Sequence, residues 1–133
     1  MSHILIIEDE NVIRHSLKRL LERHNYKVSE AGSVKEATDS YQLSNFDLII
    51  TDLRLPGAPG TDIIAQAESV PVLVMTSYAS LKSAVDAMKM GAVDYIAKPF
   101  DHDEMLMSVE RILKEKALER ENTALRSTVN RDY

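Results

Sequence analysis

The sequence predicts a doubly wound α/β sandwich on a five-stranded parallel sheet. Five short apolar runs alternate with five amphipathic stretches of helical period. Three of the runs, the first, third and fourth, are rich in Ile, Leu and Val on both faces, as central parallel strands should be. The stretches between them are long enough for the helical crossovers that parallel strands require.

The elements follow in order. "HILII" (3–7) is the first strand, and 11–24 is a helix with Val12, Ile13, Leu17, Leu20 and Leu21 on one face. "YKVSE" (26–30) alternates Tyr26, Val28 and Glu30 against Lys27 and Ser29, which suits an edge strand. A helix over 34–43 follows Ser33, and Glu36 completes a capping box. "DLIIT" (47–51) is a central strand, and 61–68 allows about two helical turns. "PVLVM" (71–75) is another central strand. The helix at 81–90 carries Leu81, Ala84, Val85 and Met88 and stops at Gly91. "VDYIA" (93–97) is the fifth strand. A long last helix starts near residue 102, with Asp101 as N-cap and Glu104 completing a second capping box.

The 133 residues suffice for one domain with a core. A net charge of -5 argues against nucleic acid as a direct partner. The absence of Cys excludes disulfides, thiolate metal sites and thiol catalysis. "MSHILIIEDE" meets acids too early for a signal peptide or a membrane span, so a cytoplasmic location with no membrane partner is expected. The four His lack metal-ligand spacing, and Met75, Met88, Met90, Met105 and Met107 read as core filling or partner-facing surface.

The chemistry lies at the strand ends. Ligands of open parallel sheets bind beyond the carboxyl ends of the strands, where strand order reverses. The first strand is followed by Glu8, Asp9 and Glu10, the third by Asp52, the fourth by Thr76 and Ser77, and the fifth by Lys98 and Pro99. Taken singly, each has an ordinary explanation. Asp52 would be a turn residue, Glu8 and Asp9 would be solvated acids opening a helix, and Lys98 a surface lysine. Together they place acids, a hydroxyl and a lysine on one rim. Clustered carboxylates repel, and a hard divalent cation such as Mg²⁺ relieves this. An Asp beside Mg²⁺ is a competent nucleophile toward a phosphoryl group.

"ILIIEDE", "DLIITDLRLPGAPG", "PVLVMTSYAS" and "GAVDYIAKPF" resemble, in order, the four signature segments of the response-regulator receiver domain of two-component signalling. The resemblance covers about residues 3 to 117. It implies a flavodoxin-like strand order of 2-1-3-4-5, with a sensor histidine kinase as partner and Mg²⁺ as cofactor. Asp52 matches the phospho-acceptor. Asp9 matches the direct metal ligand, Glu8 the acid acting through water, and the Arg54 backbone carbonyl the third protein ligand. Lys98 matches the phosphoryl-binding lysine, Thr76 the switch hydroxyl and Tyr95 the switch aromatic. The Lys98–Pro99 bond matches one that is cis in the family. Arg54 and Tyr78 occupy the positions that flank the path of a hydrolytic water.

Three positions and one helix length depart from the family pattern. Glu8 stands where Asp is usual, Ser77 replaces a smaller residue, Pro59 stands where Asp is common, and the third helix is short. "MTSYASLKSAVDAMKMGAVDYIAKPFDHDEML" resembles receivers of NtrC-type regulators, in which an AAA+ ATPase that activates sigma-54 RNA polymerase follows. The tail "ALERENTALRSTVNRDY" resembles their linker helix. Residues 1–116 are therefore expected to be the receiver and 117–133 a linker leading to an output domain. Leu118, Asn122, Leu125 and Val129 fall at spacings of four, three and four, as in the seam of a parallel homodimer. The alternatives are a stand-alone receiver, a metal-dependent phosphatase, which needs a general acid where Arg54 stands, and an interaction module with a dead site, which would be expected to lack Asp52 or Lys98.

Overall fold

A computed structural model describes the backbone of residues 1–77 and 81–131, with side chains described through residue 119 except for Leu81. Among these residues, strands β1 (His3–Ile7), β2 (Lys27–Ala31), β3 (Leu48–Asp52), β4 (Val72–Thr76) and β5 (Asp94–Ala97) alternate with helices. The helices are α1 (Asn11–Arg23), α2 (Val34–Ser40), α3 (Asp62–Ala67), α4 (Leu81–Lys89) and α5 (His102–Arg131). The sheet is all parallel in the order β2-β1-β3-β4-β5, as expected. Strand order reverses between β1 and β3, which puts a ligand crevice at their carboxyl ends.

Alternate residues of the central strands feed two cores. Leu5, Ile7, Ile49 and Val74 meet Val34 and Ala37 of α2, Ile63, Ile64 and Ala67 of α3, and Ala87 of α4. Ile4, Ile6, Leu48, Ile50, Leu73 and Met75 meet Leu17, Leu20 and Leu21 of α1, and Met105, Val109 and Ile112 of α5. The apolar runs were continuous because both faces are covered. The two turns of α3 still bury three side chains over the sheet.

Helix ends follow local chemistry. The Ser33 Oγ accepts the Glu36 N–H at 3.1 Å. Glu36 reaches back to the Gly32 N–H at 3.0 Å, one residue beyond the standard capping-box partner. Gly91, at φ +114°, ends α4 with Ala92 N–H on the Ala87 carbonyl and Gly91 N–H on the Met88 carbonyl, a Schellman pair.

The helix expected over 34–43 stops at Ser40. Tyr41 turns extended, its hydroxyl donates to the Glu30 carbonyl at 3.0 Å, and its ring packs edge-on to Phe46 at 5.5 Å. A 3₁₀ turn at Leu43–Asn45 then buries Leu43. Contacts with distant residues override the helical period here.

The last helix is fixed to the sheet by charge as well as packing. Asp94 accepts Ser108 Oγ at 3.1 Å and Arg111 Nη2 at 2.6 Å. Lys116 Nζ still reaches the Asp47 carbonyl at 3.4 Å. Residues 117–131 continue the helix for roughly 22 Å at 1.5 Å per residue. Leu118 is 49% exposed. Asn122, Leu125 and Val129 of the expected seam lie on this helix, and their side chains are outside the described residues.

Candidate functional site

The register aligns the strand ends. Ile7 is level with Thr51, Asp52 with Met75, and Thr76 with Ala97. Residues just past these positions therefore share one rim. Glu8, Asp52, Thr76 and Lys98 converge there, as the strand-end argument expects.

Lys98 is the hub. Its Nζ donates to Glu8 Oε1 and to Asp52 Oδ2, each at 2.7 Å. Its side chain is 6% exposed and that of Glu8 is fully buried. Buried charges of this kind are costly unless paired, and removing one partner strands the others. Burial pulls the Lys98 pKa down, but the hydrogen bonds and charges of Asp52 and Glu8 outweigh it, so the net shift is upward. Burial, and then the Asp52 carboxylate, push Glu8 up to about 7 against the pull of Lys98.

One lysine does not satisfy these acids. Glu8 Oε2 is buried with no hydrogen-bond partner among the described residues. Glu8, Asp9 and Asp52 form a trio, Asp9 the exposed member, in which one carboxylate oxygen from each lies within 4.8 Å of the others. An orphaned buried carboxylate oxygen within an all-oxygen acid cluster fits a hard divalent cation.

The loop after β3 fixes the Asp52 carboxylate. The Arg54 N–H donates to Asp52 Oδ1 at 3.2 Å, and the Arg54 side chain is exposed. Gly60 presses on the same residue. A Cβ built there would lie 1.8 Å from the Asp52 carbonyl oxygen and 3.0 Å from Thr51 Oγ1. The Gly60 N–H donates to the Leu53 carbonyl at 3.0 Å. Nothing in the local sequence distinguishes Gly60 from Gly57.

Thr76 is buried at the end of β4, and its carbonyl accepts the Lys98 N–H at 2.8 Å. The Lys98–Pro99 peptide is cis, as the resemblance implies. Tyr95 is half-buried against the core that contains α3 and α4. Its hydroxyl is buried with no hydrogen-bond partner among the described residues. Tyr78 lies outside the described residues.

The sequence profile of the response regulator receiver domain matches residues 4–110. The chain belongs to the response-regulator receiver family. The receiver is 32% identical over 117 residues to the transcriptional regulatory protein FixJ of Bradyrhizobium diazoefficiens, covering 85% of this chain and 57% of FixJ. It is 35% identical over 132 residues to the alginate biosynthesis transcriptional regulatory protein AlgB of Pseudomonas aeruginosa, covering 96% of this chain and 29% of AlgB. The crystal structure of NtrX from Brucella abortus superposes with a TM-score of 0.86 at 26% identity, covering 94% of this chain and 30% of that one. Homologues of the receiver thus include NtrC-type regulators. The receiver spans little more than half of FixJ and under a third of AlgB. No described helix is long and apolar enough to cross a membrane.

Proposed function

We propose that this receiver accepts a phosphoryl group on Asp52 from the phosphohistidine of a sensor histidine kinase and thereby controls an attached output. The observation that carries the reading is the Lys98 ammonium, 2.7 Å from both Glu8 and Asp52, beside an acid trio with a carboxylate oxygen to spare. Mg²⁺, when bound, supplies the positive charge that lets an anionic phosphoryl group approach these acids. Glu8, Asp9, Asp52 and the Arg54 backbone carbonyl are the residues that would hold it.

In the transfer, an Asp52 oxygen forms the new O–P bond while the P–N bond of the donor breaks with its electron pair on nitrogen. The Arg54 N–H on Oδ1 keeps the carboxylate from rotating. Lys98 exchanges a carboxylate for a phosphoryl oxygen, and the Thr76 hydroxyl takes another. The space Thr76 vacates is open to Tyr95, whose buried hydroxyl has no described partner to give up. This is a population shift between two states, biased by the contacts of the new phosphoryl group. A groove of about 380 Å³, lined by Val12, Ile13, Lys98, Pro99 and Phe100 among others, gives a donor protein a surface next to the acceptor. Val12 in it is 83% exposed.

Residues 1–116 act as the receiver and 117–133 as a linker helix to a sigma-54-activating AAA+ output, in a cytoplasmic homodimer seamed by Leu118, Asn122, Leu125 and Val129. Direct nucleic-acid binding falls to other parts of such a protein. The receiver catalyses its own phosphorylation and a slow dephosphorylation. Arg54, whose guanidinium does not give up its proton, stands where a phosphatase needs its general acid and argues against that reading.

Acetyl phosphate with Mg²⁺ tests the reading. Intact mass should show one phosphoryl group per chain, absent with chelator, in Asp52→Ala and in Asp9→Ala. Continuous release of phosphate without an adduct would indicate a phosphatase instead. No reaction at all would indicate a binding module with an inert site.

A further inference from the structure

Arg14, on the first turns of α1, grips the loop that carries two of the three acids. Its Nη1 donates to the Glu8 backbone carbonyl at 2.7 Å, and its Nη2 donates to Asn11 Oδ1 at 2.6 Å. Its Nε faces Glu30 Oε1 of β2 at 3.4 Å. The side chain is 16% exposed. Glu8 and Asn11 bracket the two residues Asp9 and Glu10, and the chain bends at Asp9. One planar guanidinium thus spans the bend from both ends, with β2 as its anchor.

The other half of the Glu8 peptide is held too. The Glu8 N–H donates to the Ala31 carbonyl at 3.0 Å. With its amide fixed by β2 and its carbonyl by Arg14, Glu8 cannot turn its backbone to satisfy Oε2 elsewhere. Asp9, next in the chain, is exposed, and no hydrogen bond holds its carboxylate among the described residues. Its placement within 4.8 Å of the oxygens of Glu8 and Asp52 therefore depends on the shape of the bend. Arg14 does this without competing for the acids of the trio, because its two Nη donors go to a carbonyl and an amide oxygen and its Nε faces Glu30 as an ion pair. Groups that orient metal ligands from outside typically change metal affinity by about 10–100-fold when removed. A fork of donors is needed, which a lysine cannot reproduce.

We propose that Arg14 is a positioning residue for the metal site, holding the bend at Asp9 so that its carboxylate stays with those of Glu8 and Asp52. The inference rests on the Mg²⁺ reading of that site.

The test is Mg²⁺ titration of the full chain, with folding checked by circular dichroism and hydrogen exchange at residues 9–11 measured with chelator present. Arg14→Gln should weaken Mg²⁺ by at least about tenfold and speed exchange at those amides in the metal-free protein. Arg14→Lys, which keeps the charge without the fork, carries the same expectation and decides the matter if Arg14→Gln does not fold. Lys18→Ala removes another cation from Glu30, 3.5 Å away, and should change neither readout. In an Asp9→Ala background, Arg14→Gln should cost no further affinity. Wild-type affinity in a folded Arg14→Gln or Arg14→Lys chain would overturn the inference alone. A wild-type chain that binds no Mg²⁺ would overturn the reading of the site, and this inference with it.

Discussion

Gly60→Ala isolates the backbone packing that holds Asp52. The new Cβ would start 1.8 Å from the Asp52 carbonyl oxygen and 2.9 Å from its carbonyl carbon. Ordinary contact needs more than about 3 Å, so loop and strand end must part by roughly 1–1.5 Å. Backbone lies on both sides of the clash, so no side chain can swing away. Overpacking of this kind costs about 1–3 kcal/mol, and the absence of a flexible neighbour favours the upper half of that range. At roughly 3–5 °C per kcal/mol for a domain of this size, Tm should fall by about 5–15 °C. A 1 Å displacement of a reacting group typically costs about 10²-fold in rate, so phosphorylation by acetyl phosphate should slow by that order. Gly57→Ala is the control. Gly57 has φ +82° but nothing within 4 Å of a Cβ. It should lose about 1–2 kcal/mol to backbone strain and keep its phosphorylation rate. Scanning calorimetry and a mass-based rate assay read both effects. A Gly60→Ala chain with wild-type Tm and rate would refute the close-approach argument.

Three further outcomes are expected. In the metal-free protein the Glu8 pKa is raised from 4.5 to about 7, so the native state binds more protons in that window and this contribution to stability is lost as pH rises through it. Ligation needs the ionised acid, so the Tm increment given by Mg²⁺ should grow between about pH 6 and pH 8, and an equal increment at both would contradict the assignment of Glu8. Tyr78→Ala and Arg54→Ala should open the path of a hydrolytic water and shorten the lifetime of the phosphorylated chain; a lifetime unchanged in both removes that role. Cutting the chain after Lys114 should convert a homodimer to a monomer in light scattering, whereas an intact chain that is monomeric at high concentration would dispose of the helical seam.

Much of this molecule is legible because its signals are local. Ile4–Ile7, Leu48–Ile50 and Val72–Met75 are apolar at every position because helices cover both faces of the sheet. Once those runs are strands, topology alone brings Glu8, Asp52, Thr76 and Lys98 to one rim. The missed features depend on which groups the folded backbone brings into contact. Tyr41 leaves the helical path for the Glu30 carbonyl, eleven residues back. Gly60 must be glycine because the Asp52 carbonyl approaches it, not because of its φ. Arg14 looks like any polar residue on an amphipathic helix until Glu8, Asn11 and Glu30 are seen around it. Period and propensity carry no record of such neighbours.

Phospho-acceptance by Asp52 is most directly tested by locating the phosphoryl group. Borohydride reduces an acyl phosphate to an alcohol, which marks the modified carboxylate before peptide mapping. After reaction with acetyl phosphate and Mg²⁺, reduction should convert Asp52 to homoserine and leave Glu8 and Asp9 unchanged. Homoserine at another position, or a phosphorylated chain in which Asp52 survives reduction, would contradict the account.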